Sequence, residues 1–231
     1  MKDLITLSQA QPEVQRKFMT GVYLRMTLAL IITAAVAWYT SRSEYMLQLL
    51  FSNRGVPFYV LIVLELVLVV VLSAAIHRLS PLAALFFFLL YSVINGITFS
   101  SIFIVYQIGS IFHLFLISAL MFGAMSVYGM FTKSDLTSAG RYLSMALIGL
   151  IIAGLVNILL KSPMLGWLTS LVGVGIFIGI TAYDTQRLMR IGIHNDGSEN
   201  FQKMAVIGAL ELYLDFINIF LKMLSLFGKR K

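Results

Sequence analysis

Long apolar runs separated by short polar gaps organise this chain, and seven of them reach or approach the roughly 20 apolar residues that a bilayer-crossing helix needs. They cover 21–40, 57–76, 82–106, 111–131, 143–160, 164–187 and 204–227. None alternates polar and apolar residues with a period of two. In lipid the backbone must satisfy its own hydrogen bonds, so runs of this kind predict helices. The second run, PFYVLIVLELVLVVVLSAAI, is interrupted only by Glu65, and the third carries no charge. QIGS alone joins the third to the fourth, which predicts a tight antiparallel hairpin. The longest gap, around GIHNDGSENFQK, is too short for a soluble domain. The pattern therefore predicts an all-α integral membrane protein, a single seven-helix domain over residues 1–231. The polar N-terminal stretch has no short apolar core followed by a small-residue site, so no cleavable signal peptide is expected.

Composition sharpens that picture. The chain is 59% hydrophobic and 12% charged, against about 25% charged in soluble domains. With no cysteine, disulfides and thiolate metal or redox sites are excluded. The net charge of +7 does not point to nucleic acid, because the lysines and arginines sit in the gaps between apolar runs. If the N-terminus is cytoplasmic and all seven runs cross, nine basic residues lie inside: Lys2, Arg16, Lys17, Arg78, Lys133, Arg141, Arg187, Arg190 and Lys203. Six lie outside: Arg42, Arg54, Lys161, Lys229, Arg230 and Lys231. Were the last run to dip in and return, the count would be twelve against three. Both counts place the N-terminus in the cytoplasm, while the side of the C-terminus stays open.

The last run, ALELYLDFINIFLKML, carries charge where hydrocarbon is the expected solvent. An aspartate at a helix centre costs about 2.5–3.5 kcal/mol on insertion scales, and each Leu, Ile or Phe returns roughly 0.3–0.6. Gly208, Glu211, Asp215, Asn218 and Lys222 fall on one helical face, a polar stripe that should turn toward the bundle interior or a hydrated cavity. Asp184, in TAYDTQRL near the end of the sixth run, is the second intramembrane aspartate. Gly175 and Gly179 upstream form a GxxxG pair, a spacing that lets another helix approach closely. If the last helix is the one that approaches, Asp184 and Asp215 come within reach of each other. Two carboxylates sharing a site cannot both ionise cheaply, so such a pair tends to hold a proton near neutral pH. When ionised it can meet a hard cation such as Ca²⁺ through oxygen.

Simpler readings compete. Asp184 and Arg187 are spaced for an intrahelical ion pair, and Glu65 can be a buried acid that is protonated or partnered. Arg78 can be a cytoplasmic anchor, and Lys222 can snorkel. His77, His113 and His194 are scattered without metal-site spacing. A retinal protein would want an acid one turn before the lysine, where Asn218 stands. An intramembrane aspartyl protease would want a glycine-x-glycine-aspartate element that is missing, and neither GxSG nor HExxH occurs. The chain is therefore read as a non-enzyme.

ALELYLDFINIFLKML resembles the signature of the Bax-inhibitor family, the transmembrane Bax inhibitor motif proteins. The likeness extends over nearly the whole chain. VYLRMTLALIITAAVAW is similar to the family's first helix, NGITFSSIF to its third, TKSDLTSAGRYLSMALIGLIIAGLVN to its loop and fifth helix, and TAYDTQRL to its sixth. The resemblance implies a seven-helix fold whose last helix is central and surrounded by the other six. It also implies pH-dependent Ca²⁺ leak and, in eukaryotes, suppression of cell death. Asp184 and Asp215 carry over as the family's proton-sharing pair, and Arg78 as the arginine that contributes to the gate in some members. Glu211 departs from the small residue expected there. A three-carboxylate calcium path over Asp184, Asp215 and Glu211, with Glu65 as an outlying candidate, becomes conceivable.

The function expected on these grounds is a pH-sensitive calcium-leak channel gated by the aspartate pair, with the sign of gating open. Its surroundings are the lipid bilayer, calcium and protons, with no tightly bound cofactor and no nucleic acid. The alternatives are a non-conducting regulator that binds other membrane proteins, such as a quality-control protease, and a proton-coupled cation exchanger. Compact loops and termini suit a bacterial plasma membrane.

Overall fold

The computed structural model describes the backbone of residues 2–194 and 197–231, and side chains from Glu13 onward. Lys2 and the Asn195–Asp196 part of the last loop, both used in the sequence reading, lie outside the described side chains. The helices are α1 (Lys2–Arg42), α2 (Glu44–Phe51), α3 (Val56–Ala75), α4 (Pro81–Val105), α5 (Ile108–Phe131), α6 (Thr137–Leu160), α7 (Pro163–Gly192) and α8 (Glu199–Phe227). Among the described residues seven of these are long and apolar enough to cross a membrane, as the hydropathy pattern predicts. α1, α5, α6, α7 and α8 run longer than the apolar runs that announced them, because helical backbone continues beyond those runs, while α3 and α4 keep the predicted length.

The short α2, between the first two spans, was not foreseen. Its eight residues are started by Ser43, whose hydroxyl accepts a hydrogen bond from the Met46 N–H, and are followed by a 3-10 turn over Asn53–Gly55. Gly55 at φ 81° supplies the left-handed residue from which α3 departs, with a proline in its first turn. Ser80 caps α4 through the Ala83 N–H, again ahead of a helix-starting proline. The α4–α5 connection is tighter than expected: Tyr106 and Gln107 alone separate the two helices.

Two compact units divide the chain. The first comprises Met1–Tyr106, Gly192–Tyr213 and Lys231; the second comprises Gln107–Ile191 and Leu214–Arg230. The first is built on α1 against α4. A Cβ at Gly96 would sit 2.8 Å from both the Thr33 carbonyl oxygen and the Val36 Cβ, so the bare glycine lets the two backbones meet. In the second unit, α7 is gripped from two sides. A Cβ on Gly129 of α5 would collide with the Ala182 carbonyl and Thr185, and one on Gly140 of α6 would enter the Tyr183 ring. The GxxxG pair of α7 plays another part than the one expected. Gly179 meets Leu143 of α6, and Gly175 faces open space, so neither admits α8. The close approach of α8 to α7 falls instead at Gly173, against the stem of Lys222.

The α8 span is 67% buried, whereas no other span exceeds 39% and α6 has 6%. Lipid rewards an apolar surface as well as a protein core does, so α3 and α6 stay apolar on faces that touch nothing. α8 is one unbroken helix over Glu199–Phe227, long and apolar enough to cross, with no turn at which it dips and returns. Beyond it, the Gln107 N–H donates to the Lys229 carbonyl, the Lys231 N–H donates to the Val105 carbonyl, and the Lys229 N–H donates to the Ser110 hydroxyl. The basic C-terminus thus lies at the α4–α5 connection, the end opposite to the α7–α8 loop.

Candidate functional site

Asp184 lies on α7, about two turns before its C-terminal end, and Asp215 lies at the middle of α8. Both belong to the second unit, and their exposures are 8% and 5%. Asp184 pairs with Arg187 one turn on, Oδ1 to guanidinium nitrogen 3.7 Å, so the intrahelical ion pair weighed from the sequence is formed. The Arg187 guanidinium also lies 5.8 Å from the Tyr183 ring centroid. On α8, Phe216 packs edge-on against Phe115 and Phe122 of α5, and Phe220 against Phe115, which sets the rotation of the helix that carries Asp215.

Of the remaining stripe residues Gly208 is buried, and Glu211, Asn218 and Lys222 occupy the least covered face of α8. From Ala205 to Leu224, Ile207, Glu211, Leu214, Asn218, Leu221 and Lys222 are half-buried, and their neighbours on the helix are buried. Asn218 donates its amide to the Leu214 carbonyl within its own helix. Glu211 belongs to the first unit. Arg78 is exposed at the end of the 3-10 turn Ile76–Arg78 after α3, also in the first unit.

Glu65 has a partner. The Thr98 hydroxyl donates to its carboxylate at 2.6 Å, within a polar layer of the first unit. Asn95 donates to the Tyr91 hydroxyl at 3.0 Å, Thr33 and Tyr213 join hydroxyls at 2.7 Å, and Thr33 donates to the Ser92 carbonyl. The buried Asn95 Oδ1 has no hydrogen-bond partner among the described residues. Among the described residues no three or more His, Asp or Glu side chains are disposed to hold a metal ion.

Sequence reasoning missed the clamp that fixes α7 near Asp184. Gln186 donates to the Ser134 carbonyl and accepts from the Leu136 N–H, pinning the α5–α6 loop. Arg190 reaches Asp135 at 2.6 Å, Thr137 at 3.2 Å and Gln186 at 2.8 Å. Hydrogen bonds from Thr137 and then Arg190 hold the Asp135 carboxyl well below the usual carboxylate range. The i, i+4 spacing of Gln186 and Arg190, with SDLT in a loop, was the available signal.

The sequence profile of the family described as "Inhibitor of apoptosis-promoting Bax1" matches residues 15–231. The Escherichia coli protein named "Inner membrane protein YbhL" is 50% identical over 216 residues, covering 93% of this chain and 92% of that one. A Borreliella burgdorferi protein without an assigned function is 42% identical over 231 residues, 99% of each chain. A Streptococcus pyogenes membrane protein, likewise uncharacterised, is 40% identical over 177 residues, 77% of this chain and 76% of its own. A profile spanning nearly the whole chain, and seven spans ending in a buried acidic helix, agree: this chain belongs to the Bax inhibitor family.

Proposed function

We propose that this protein is a pH-governed cation leak, with Ca²⁺ as its ion, acting without catalysing a reaction. It works in a bacterial plasma membrane with its N-terminus in the cytoplasm. The basic-residue count supports that orientation, and the Escherichia coli relative, named as an inner membrane protein, supports that membrane.

The observation that carries the reading is the burial of Asp184 and Asp215 inside spans of one unit, with Arg187 beside Asp184. Intramembrane carboxylates are costly, and they persist where they serve an ion path or a proton relay. A leak needs oxygens that a hard cation meets in passing, not a closed set of ligands. With both carboxylates ionised, the Arg187 guanidinium offsets their repulsion and the path is latched. A proton taken by the pair weakens that hold, so the leak grows as pH falls.

The test is Ca²⁺ entry into dye-loaded proteoliposomes from about pH 6 to 8, the range in which a proton-sharing pair titrates. Native protein should leak more at the acid end, and Asp215→Asn should flatten the profile. Flux from folded protein no greater than from empty liposomes would overturn the leak and favour a regulator that binds other membrane proteins.

A further inference from the structure

We propose that the groove between the α6–α7 connection and the end of α8 binds the phosphate of an anionic lipid headgroup. The leaflet concerned is the one on the C-terminal side of the protein.

The groove encloses about 470 Å³ and lies wholly in the second unit. Asn157, Lys161, Ser162, Trp167, Ser225 and Arg230 line it. Its frame is ordered by bonds that leave both cations available. Lys161 ends α6 in the left-handed conformation, φ 50°, with its N–H on the Asn157 carbonyl at 2.8 Å. The Asn157 Oδ1 accepts the Ser162 N–H, and the Ser162 hydroxyl accepts the Leu165 N–H. The Arg230 backbone is fixed by the Gln107 side-chain amide, 3.2 Å from its carbonyl oxygen. Ser225 is joined to Ser170, hydroxyl to hydroxyl at 3.0 Å. Among the described residues neither the Lys161 ammonium nor the Arg230 guanidinium has a hydrogen-bond or ion-pair partner.

Two unpaired cations in one groove call for an anion. The start of the long helix α7, at Pro163, adds its positive dipole end to the same place. The position favours a lipid over free phosphate. Leu160, Leu168 and Leu171, on the two helices that flank the groove, are exposed and apolar, a surface for acyl chains. Trp167, 55% exposed, sits where aromatic side chains mark the membrane–water boundary.

The experiment is native mass spectrometry of the detergent-purified full chain, titrated separately with phosphatidylglycerol, with phosphatidylcholine of the same acyl chains, and with inorganic phosphate. The variants are Lys161→Asn, which tolerates the left-handed backbone, Arg230→Gln, and the two combined. Thermal midpoints confirm folding, and each single variant serves if the double does not fold. The native chain should retain phosphatidylglycerol over phosphatidylcholine, and the double variant should bind it roughly thirtyfold more weakly, given what each basic side chain contributes at an anionic surface. Equal retention of the two lipids, or no loss in the folded variants, would overturn the proposal. So would phosphate alone binding as tightly as the lipid.

Discussion

The two units place polar groups at membrane depth and satisfy them differently. In the first, Glu65, Thr98, Tyr91, Asn95, Thr33 and Tyr213 are joined mainly through hydroxyls and an amide, with one carboxyl closed by one threonine. In the second, Asp184 stands against Arg187, and Asp215 is buried on α8. α8 serves both, giving Tyr213 to the first and, two residues later, Asp215 to the second. The difference is one of cost and response. A hydroxyl network needs no proton exchange to stay satisfied and adds rigidity. A buried carboxylate pair changes its energy with every proton gained or lost, so it can report pH. The comparison predicts that pH control resides in the second unit and mechanical definition in the first.

The substitution expected to act most strongly on that comparison is Asp184→Asn. Removing the charge that Arg187 offsets should raise Ca²⁺ flux at about pH 8 to within roughly twofold of its value at pH 6, which corresponds to less than one unit of residual proton coupling. A profile as steep as the native one would remove Asp184 from the gate. Next comes Gly129→Val, which drives a side chain into the Ala182 carbonyl and Thr185. A backbone contact cannot yield as a flexible side chain can, so a loss of about 3 kcal/mol is expected, read as a lowered thermal midpoint in detergent. A midpoint within error of native would mean that α5 and α7 are less tightly apposed.

Tyr213→Phe tests the first unit more gently. It removes the hydroxyl bonded to Thr33, but Thr33 keeps its bond to the Ser92 carbonyl. A loss of about 0.6 kcal/mol is expected, with the pH profile of flux unchanged. A shifted profile would show that the hydroxyl network also carries proton control.

The smallest effect belongs to Asp135→Asn in the clamp. The folded-state carboxyl is held below its unfolded value, so its stabilising contribution is present above the ordinary carboxylate range and is lost only as pH falls below it. Between about pH 6 and 8 the group stays ionised in both states. The substitution should therefore leave the pH slope of flux intact while loosening the α5–α6 loop, measured as faster amide exchange at residues 134–137. A flattened slope would move the sensor out of the membrane and into the clamp.

Much of the molecule was legible along the chain. Seven spans followed from apolar run length, because lipid obliges each run to satisfy its own backbone whatever its neighbours do. The acidic stripe was visible for the same reason: a charge within such a run stands out without any knowledge of partners. What a single run could not show was which face of it would be covered. Gly175 and Gly179 looked like the seat of α8, yet Gly173 is the glycine that meets Lys222. Small residues permit close approach without naming the helix that approaches. Arg78 and Glu211 belong to the first unit and the aspartates to the second, a division that no periodicity expresses. The Asp135–Gln186–Arg190 clamp joins residues about fifty positions apart, and α2 rests on one serine cap.

Read along the chain alone, this protein is helical, has seven spans long and apolar enough to cross a membrane, and carries acid groups within them. Each of these is set by transfer of one segment between water and hydrocarbon, an energy that is local and additive along the chain. Packing between helices decided which carboxylates are buried, what grips the helix that carries Asp184, and where the C-terminus is tied. Those outcomes depend on packing between segments. With lipid as apolar as leucine, short contacts such as Gly129 on Ala182, rather than hydrophobicity, select the partners.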